Sequence, residues 1–161
     1  DSVFSVSATT RAKTDADVEG VDYHFVTDHE FDRLIADDEL LEWADVFGKR
    51  YGTPRGWVLE QLRRGRVVIL EIDVEGARQV KAKLPEAFAI FVLPPSEETL
   101  LQRLRDRKRE SEEAIQKRFA EAKREIATAK ADGLYDLFII NDDLSRATAE
   151  ALAAVEARRS G

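Results

Sequence analysis

Residues 67–77 read VVILEIDVEGA, and this stretch decides the fold. Its first six residues form a β-branched apolar run, which predicts a buried strand. Asp73 follows the run and begins a predicted helix that reaches about Lys83. Residues 88–93 and 137–140 predict two further buried strands, each followed by a helix signal. Such alternation of strands and helices is typical of a parallel sheet flanked by helices.

The region upstream of this strand has a different character. Residues 8–65 are acidic and contain short alternating pieces such as residues 21–26, together with a predicted helix at residues 29–37. We interpret the region as a subdomain inserted between two core strands, which the sequence predicts at residues 3–7 and 67–72.

Four polar residues are predicted to cap helices, because their side-chain oxygens can accept hydrogen bonds from the free N–H groups of a helix start. Ser96, Ser111 and Asp143 precede three helices in the second half of the chain. Thr53 precedes a fourth helix, with Pro54 at its first position.

The composition excludes several classes of protein. The 161 residues include no cysteine, which excludes disulfide scaffolds and thiolate chemistry and permits a reducing cytoplasm. The longest apolar run, residues 87–93, is far shorter than the roughly 18 residues that span a membrane. A net charge of -7 disfavours sequence-independent nucleic-acid binding, because phosphate neutralisation supplies most of that affinity. We therefore expect no nucleic-acid partner and no membrane partner.

The charge is distributed unevenly along the chain. Residues 15–45 contain twelve acidic residues and one basic residue, whereas residues 101–124 contain nine basic and five acidic residues. A local basic helix in an acidic protein suits a small anionic ligand. The other interpretation is that both runs are solvated helix faces that keep the protein soluble.

Three places in the first half of the chain could carry chemistry. Asp73 follows a strand, where open α/β sheets bind ligands, although an Asp there is as often a helix cap. Tyr51 and Thr53 offer two hydroxyls beside Gly52, or form a turn that leads into a helix cap. Glu42 lies between large apolar residues, where a carboxylate is costly unless paired or bound to a ligand. The alternative for Glu42 is an ordinary surface position.

The basic stretch offers a different kind of signal. Arg103 and Arg107 lie one helical turn apart, and Arg118 lies on the next helix, so the three guanidinium groups could clamp a phosphate. Their alternative role is pairing with Glu on the same helix. His24 and His29 have no partners at metal-ligand spacing, and we expect both to be structural or exposed.

Eight short blocks, in order along the chain, resemble the guanylate kinase family. The resemblance extends from residue 3 to about residue 150, near the spacing of the family. The blocks are FSVSATTR (4–11), EGVDYHF (19–25), LEWA (41–44), YGTP (51–54), LEIDVEGA (70–77), PPS (94–96), ESEEAI (110–115) and NDD (141–143).

The resemblance implies an α/β protein with the parallel-sheet P-loop nucleoside-monophosphate kinase fold, an inserted mixed α+β GMP-binding subdomain and a helical lid. The core would comprise residues 1–7 and 67–161, the GMP-binding subdomain residues 8–66, and the lid residues 103–118. The implied reaction is ATP + GMP giving ADP + GDP, with GMP and the co-substrate ATP as partners and Mg2+ as metal ion. The resemblance further implies a cytoplasmic monomer or homodimer.

The resemblance also implies roles for individual residues on the GMP side. The residues that would bind the GMP phosphate are Ser7, Arg11, Tyr23 and Tyr51. The residues that would hold guanine are Glu42, Thr53 and Asp73. The chemistry agrees, because guanine presents a ring N–H and an amino group side by side and one carboxylate accepts both. Adenine has no such donor pair and would leave a buried carboxylate unpaired.

On the ATP side, the resemblance assigns one charge-neutralising group and one nucleotide contact. The arginines that would spread the charge on the transferred phosphoryl group are Arg103, Arg107 and Arg118. Asn141 matches a position near the adenine of ATP.

The chain departs from the family at two sites. Thr14 stands where the family usually has a second phosphate-binding arginine, and Lys13 could compensate as a point charge. Lys108 and Arg109 stand where the family has Gly and Thr after the lid arginine, which we expect to alter lid flexibility and add positive charge.

The phosphate-binding loop of the family, GxxxxGK[ST], has no counterpart in the 161 residues, and the sequence has no methionine. One explanation is a guanylate kinase whose given chain lacks roughly 30 N-terminal residues through truncation, cleavage or disorder. The other is a catalytically inactive guanylate-kinase-like module that binds a phosphorylated protein partner. Retention of the guanine-reading and ATP-side residues favours the first, and we expect the chain as given to bind GMP without turnover.

Overall fold

The computed structural model describes residues 1–107 and 110–160. The chain forms two units, Asp1–Pro85 and Glu86–Gly161. Each unit contains both strands and helices, so the α/β class predicted from the sequence is confirmed. Among the residues that the structure describes, no helix is long and apolar enough to cross a membrane.

The first unit, which is described throughout, combines a mixed sheet with a parallel strand pair. Its elements are β1 (Ser2–Phe4), β2 (Ala8–Thr9), β3 (His24–Phe25), α1 (Asp28–Ala36), β4 (Leu40–Val46), β5 (Lys49–Pro54), α2 (Arg55–Arg63), β6 (Val67–Ile69) and α3 (Val74–Lys83). The mixed sheet has the order β3-β2-β5-β4, and β1 pairs with β6 in parallel. The prediction of parallel core strands is confirmed for this pair.

The core of the mixed sheet forms under helix α1. Phe31 of that helix is fully buried and clusters with Ala8 and Leu40, which are 2% exposed. Gly52 on β5 makes this packing possible, because a β-carbon there would lie 2.9 Å from Cδ1 of Leu40 and 3.2 Å from Cζ of Phe31. The sheet that carries the candidate site residues is thereby fixed to a helix.

The two core strands of the first unit are shorter than predicted. The prediction placed them at residues 3–7 and 67–72, but the parallel ladder ends at Phe4 and Ile69. The reason is a change of partner, since the carbonyl of Ser7 already accepts a hydrogen bond from β3. The predicted helix after residue 73 is confirmed, with the bounds of α3.

The second unit contains one parallel strand pair and three helices among its described residues. The elements are β7 (Ile90–Leu93), α4 (Glu97–Asp106), α5 (Glu112–Ala131), β8 (Leu137–Ile140) and α6 (Leu144–Ser160). Strand β8 has the predicted bounds, and β7 begins two residues later than predicted. The predicted caps Ser96, Ser111 and Asp143 are confirmed, because each side chain accepts a backbone N–H of the following turn.

One predicted cap is wrong. Helix α2 begins at Arg55, and Pro54 occupies the capping position without a side-chain hydrogen bond. Thr53 remains in strand β5, where its hydroxyl donates to the carboxylate of Glu42. A hydrogen bond to an ionised carboxylate is stronger than one between two neutral groups, such as a hydroxyl cap and a backbone N–H. The Thr53 hydroxyl therefore bonds to Glu42 across the strand pair and does not cap the helix.

Candidate functional site

The antiparallel hairpin of β4 and β5 places Glu42 directly opposite Thr53. The Thr53 hydroxyl donates to Oε1 of Glu42, with 2.7 Å between the two oxygens. Glu42 is 6% exposed and Thr53 is 1% exposed. The alternative of Glu42 as an ordinary surface residue is therefore excluded, and the structure brings two of the predicted guanine-binding residues together.

Burial raises the pKa of the Glu42 carboxyl above its ordinary value. The hydrogen bond from Thr53 opposes this shift by stabilising the ionised form, and the nearby charge of Asp73 adds to it. A buried carboxylate is costly unless hydrogen-bond donors surround it. Thr53 supplies one donor to one oxygen, so a ligand that brings two adjacent N–H groups would complete the set.

The first turn of α3 lies against the Glu42 carboxylate. A β-carbon on Gly76 would lie 2.9 Å from Oε2 of Glu42 and 3.1 Å from Oδ1 of Asp73. Asp73 is the N-cap of this helix, since its Oδ1 accepts the Gly76 N–H at 2.7 Å. The helix-cap interpretation of Asp73 is confirmed, and its ligand role stays a prediction.

The sequence interpretation missed Gly76. A usable signal was present, because a glycine in a helix costs roughly 0.5–1 kcal/mol relative to alanine and needs a compensating reason. The reason is steric, since a β-carbon at this position would press against the Glu42 carboxylate beside the helix.

A pocket of about 180 Å³ opens within the first unit. Three of the predicted residues, Ser7, Tyr23 and Thr53, line it. Its other polar lining includes residues that the sequence interpretation did not assign, namely Ser5, Asp22 and Glu71. The pocket thus joins a predicted guanine-binding residue to two predicted phosphate-binding residues in one concave surface.

Two tyrosines and an arginine form an aromatic cluster in the first unit. The rings of Tyr23 and Tyr51 meet edge to face, with 5.7 Å between their centroids. The guanidinium carbon of Arg11 lies 5.2 Å from the centre of the Tyr23 ring and 5.5 Å from that of Phe25. Three of the four predicted phosphate-binding side chains, Arg11, Tyr23 and Tyr51, therefore lie in one cluster. The turn alternative for residues 51–53 is wrong, because these residues lie in strand β5.

Arg11 is also held by a carboxylate that the sequence interpretation did not single out. Its Nη2 lies 2.9 Å from Oδ1 of Asp17, and its Nη1 lies 3.0 Å from Oδ2. The Arg11 hydrogen bonds hold the pKa of the Asp17 carboxyl well below its usual range. Thr14, where the family usually has a second arginine, donates its backbone N–H and its hydroxyl to Oδ2 of Asp17, each at 2.8 Å.

The second unit contains the predicted ATP-side residues. Nη2 of Arg103 donates to the backbone carbonyl of Asn141 at 2.8 Å. Nη2 of Arg118 lies 2.7 Å from a carboxylate oxygen of Glu110. Arg107 is exposed at the end of α4. Among these described contacts, neither Arg103 nor Arg118 pairs with a glutamate on its own helix, so the intrahelical pairing alternative is not seen for them.

Two further expectations concern histidines and the lid. His24 and His29 are exposed, and His24 lies 3.5 Å from Glu19, so the expectation of structural or exposed histidines is confirmed. Within residues 1–107 and 110–160, no group of three or more acidic or histidine side chains is arranged to hold a metal ion. The predicted departures Lys108 and Arg109 lie outside the described residues.

Comparison with known proteins gives a consistent result across sequences. A family model described as Guanylate kinase matches residues 1–158. The chain is 50% identical over 158 residues to a guanylate kinase of Symbiobacterium thermophilum, covering 98% of this chain and 73% of the relative. It is 48% identical over 154 residues to a guanylate kinase of Thermobifida fusca, covering 96% of this chain and 77% of the relative.

A solved structure agrees with these sequences. The chain is similar to the crystal structure of guanylate kinase from Anaplasma phagocytophilum, with a TM-score of 0.77 and 33% sequence identity. The match covers 99% of this chain and 77% of that one. The similarity therefore extends over both units of the chain.

Proposed function

The chain belongs to the guanylate kinase family and has the function of that family, and we propose how its residues perform it. In the proposed reaction the γ-phosphoryl group of ATP moves to a phosphate oxygen of GMP. The P–O bond to ADP breaks, a new P–O bond to GMP forms, and the products are ADP and GDP. The residues of the first unit bind GMP, and arginines of the second unit neutralise the charge of the transferred group.

The observation that carries this proposal is the buried Glu42 carboxylate with a hydroxyl donor on one of its oxygens. Guanine offers a ring N–H and an exocyclic amino group side by side, and a carboxylate can accept both. Adenine offers no such pair, so a buried carboxylate would lose its partners when adenine occupies the site. Glu42, Thr53 and Asp73 are the proposed guanine-binding residues.

The GMP phosphate is bound in this proposal by three hydroxyl groups and one guanidinium group. These belong to Ser7, Tyr23, Tyr51 and Arg11. The pocket lining supports the proposal for Ser7 and Tyr23, and the ring contact between the two tyrosines supports it for Tyr51. Arginine suits this role because its planar fork matches two phosphate oxygens.

We further propose that Arg103, Arg107 and Arg118 spread the charge that develops on the transferred phosphoryl group. Asn141 is the proposed contact to the adenine of ATP. The hydrogen bond from Arg103 to the Asn141 backbone supports this grouping. Mg2+ is the proposed metal ion and reaches the protein on the phosphates of ATP. Such an ion keeps several waters and binds through substrate phosphates with only one or two carboxylates.

We also propose how the chain is divided into a core, a subdomain and a lid, where the protein is located and how it assembles. The nucleotide-kinase core comprises residues 1–7 and 67–161, the GMP-binding subdomain residues 8–66, and a helical lid residues 103–118, in a P-loop nucleoside-monophosphate kinase fold. The cytoplasm is the proposed location, with a monomer or homodimer as the proposed assembly. The alternative of an inactive module that binds a phosphorylated partner is not favoured, since relatives named guanylate kinase match nearly the whole chain.

The 161 residues by themselves are proposed to bind GMP without transferring a phosphoryl group. No Gly-Lys-Ser or Gly-Lys-Thr occurs in them, and that loop cradles ATP phosphates on its backbone N–H groups. The intact mass of the purified protein is the companion measurement. A mass above 18.2 kDa by roughly 30 residues would show that further residues accompany this chain.

Calorimetry with GMP and with AMP tests the proposal. We expect GMP to bind more tightly than AMP, and the Glu42→Gln variant to lose this preference, because the change replaces one acceptor by a donor. The matched control is Glu39→Gln, which alters an exposed glutamate just before the same strand. Equal affinity for GMP and AMP in the unmodified protein, or no binding of either, would overturn the proposed guanine site.

A further inference from the structure

Asp17 lies beside Arg11, the proposed phosphate-binding arginine, and is not among the residues proposed to contact GMP or ATP. The Asp17 side chain is 14% exposed and the Arg11 side chain 29% exposed, so this pair is largely shielded from water. Two hydrogen bonds join both ends of the carboxylate to both terminal nitrogens of the guanidinium group. Such a two-point contact fixes the plane of the arginine as well as its position.

The contacts of Arg11 use up a defined part of its hydrogen-bonding capacity. A guanidinium group carries five N–H donors in a planar fork. Nη1 donates its two N–H groups to Oδ2 of Asp17 and to the carbonyl of Ala12, at 3.0 and 3.1 Å. Nη2 donates one N–H to Oδ1 of Asp17 at 2.9 Å. The remaining donors are the Nε–H and the second N–H of Nη2, which point the same way from one edge of the fork.

That edge is the one that a phosphate can use. Two parallel N–H groups on neighbouring nitrogens match two oxygens of a phosphate group. The rings of Tyr23 and Phe25, at 5.2 and 5.5 Å from the guanidinium carbon, further limit rotation of Arg11. Asp17 therefore blocks one edge of the fork and leaves a second edge open for a ligand.

Asp17 is itself held in place by Thr14. The backbone N–H and the hydroxyl of Thr14 both donate to Oδ2, each at 2.8 Å. The carboxylate thus accepts four hydrogen bonds in all, two from Arg11 and two from Thr14. The threonine that replaces the second arginine of the family fixes the group that orients the first.

We infer that Asp17 is a positioning residue, which presents the Nε–Nη2 edge of Arg11 to the phosphate of GMP, with Thr14 holding Asp17 in place. The inference rests on the proposed function, since it takes the GMP phosphate as the ligand of Arg11. Asp17 contacts Arg11 and not the ligand, and its negative charge opposes phosphate binding. If Asp17 acts by orienting Arg11, removing its carboxylate weakens GMP binding. If it acts only through its negative charge, removing the carboxylate strengthens GMP binding.

The test compares GMP with guanosine, which has the same base and ribose but no phosphate. Binding of each is measured by calorimetry for the unmodified chain and for Asp17→Asn. Asparagine has nearly the same shape but replaces one acceptor by a donor, so it cannot accept both Arg11 contacts. We expect Asp17→Asn to weaken GMP binding about tenfold, as for a lost charge-assisted hydrogen bond, and to leave guanosine binding unchanged.

Two controls complete the test. Asp15→Asn changes the net charge by the same amount at an exposed position of the same loop and should leave the ratio of GMP to guanosine affinity unchanged. Thr14→Val removes one hydrogen bond to Asp17 without changing any charge and should weaken GMP binding by a smaller factor, about threefold. If Asp17→Asn fails to fold, which circular dichroism would reveal, the Thr14→Val variant decides by itself.

Three outcomes would overturn the inference. Tighter GMP binding by Asp17→Asn would mean that the carboxylate acts only as a competing charge. An equal loss of GMP and guanosine affinity would mean that it only maintains the fold of the loop. An unchanged ratio in a folded variant would remove any positioning role. Failure of the proposed function looks different, because the unmodified chain would then bind neither GMP nor guanosine.

Discussion

The carboxylate of Glu42 lies so close to Gly76 of helix α3 that a β-carbon at this position would force the carboxylate to shift. A β-carbon on Gly76 would lie 2.9 Å from Oε2 of Glu42, closer than side-chain carbons approach such atoms. The helix start is thereby shaped around the group that we propose reads guanine. Guanine recognition then depends on a residue with no polar side chain of its own.

Replacing Gly76 by alanine is expected to displace the Glu42 carboxylate or the Asp73 cap, which lies 3.1 Å from the same position. We expect the preference for GMP over AMP, measured by calorimetry, to fall by about tenfold, since a misplaced carboxylate loses roughly one charge-assisted hydrogen bond. AMP binding should change little, because adenine does not use that carboxylate.

Gly56 provides the matched control for this substitution. It lies in helix α2, and a β-carbon there meets nothing within 4 Å. Gly56→Ala should therefore stabilise the protein by about 0.5–1 kcal/mol through helix propensity alone, without changing nucleotide preference. A Gly76→Ala variant with the full GMP preference would show that the carboxylate moves freely and that the close approach has no functional role.

The hydroxyl of Thr53 is expected to stabilise the folded protein as well as the site. Thr53→Val keeps the shape of the side chain but leaves the buried Oε1 of Glu42 without its donor, at a cost of about 1–3 kcal/mol. Thr53→Ser retains the hydroxyl and should cost only about 0.8 kcal/mol for the lost methyl group. Urea unfolding at neutral pH measures both.

The same experiment in mildly acidic buffer sharpens the test of Thr53. Protonation of Glu42 removes the buried charge, so the deficit of Thr53→Val should shrink as the pH falls. A deficit that is equal at both pH values would assign the effect to packing. A valine variant as stable as the unmodified protein would contradict the assigned hydrogen bond.

The pairing of Glu42 with Thr53 shows why part of the site escapes sequence analysis. The ladder of β4 and β5 is regular from the turn at residues 47 and 48 to the pair of Glu42 and Thr53, and its register shifts only beyond that pair, before Leu40. The position of the turn therefore sets the pairing. That turn is Phe47-Gly48 and lacks the Asn-Gly or Asp-Gly sequence that predicts a hairpin. Thr53 was accordingly predicted to cap a helix.

Local signals, by contrast, were predictable. The apolar run of β8 and the cap at Ser111 depend on residues within one turn or strand, so their bounds followed from the sequence. The pair of Arg11 and Asp17 lies between these cases. Its members are only six residues apart, but their contact depends on the loop conformation that Thr14 stabilises. The composition identified residues 15–45 as acidic but did not indicate which carboxylate pairs with which arginine.

The turn between β4 and β5 is expected to be a site of avoidable strain. Phe47 has a φ of 53° and is 87% exposed, and Gly48 has a φ of 76°. Two-residue turns with positive φ at both positions favour Asn-Gly, whereas a bulky residue in this conformation costs about 1–2 kcal/mol. Phe47→Asn should therefore raise the free energy of unfolding by about 1 kcal/mol without altering GMP binding.

Phe47→Ala separates the two possible origins of that gain. Alanine removes the exposed ring but keeps a residue that disfavours positive φ, so its stability in urea should stay close to that of the unmodified protein. If alanine and asparagine stabilise equally, exposure of the ring and not backbone strain would be the cause.

Guanosine binding is expected to weaken in acid because of Glu42. Burial raises the pKa of this carboxyl, so the free protein takes up its proton at a higher pH than an ordinary glutamate does. Guanine donors require the ionised form, and binding must therefore expel that proton. Affinity should fall as the pH drops through the raised pKa, by at most about tenfold per pH unit for one proton.

Without ligand, the contribution of Glu42 to the free energy of unfolding should change with pH in the direction opposite to guanosine affinity. Between the ordinary and the raised pKa the native state binds more protons than the unfolded state, so the contribution of Glu42 to stability decreases as the pH rises through this window. Glu42→Gln removes both effects and should show flat guanosine binding over the same range. Guanosine avoids titration of the GMP phosphate, and Asp73→Asn should retain the pH dependence. A dependence that survives Glu42→Gln and disappears in Asp73→Asn would assign the titrating group to Asp73 and contradict the role given to Glu42.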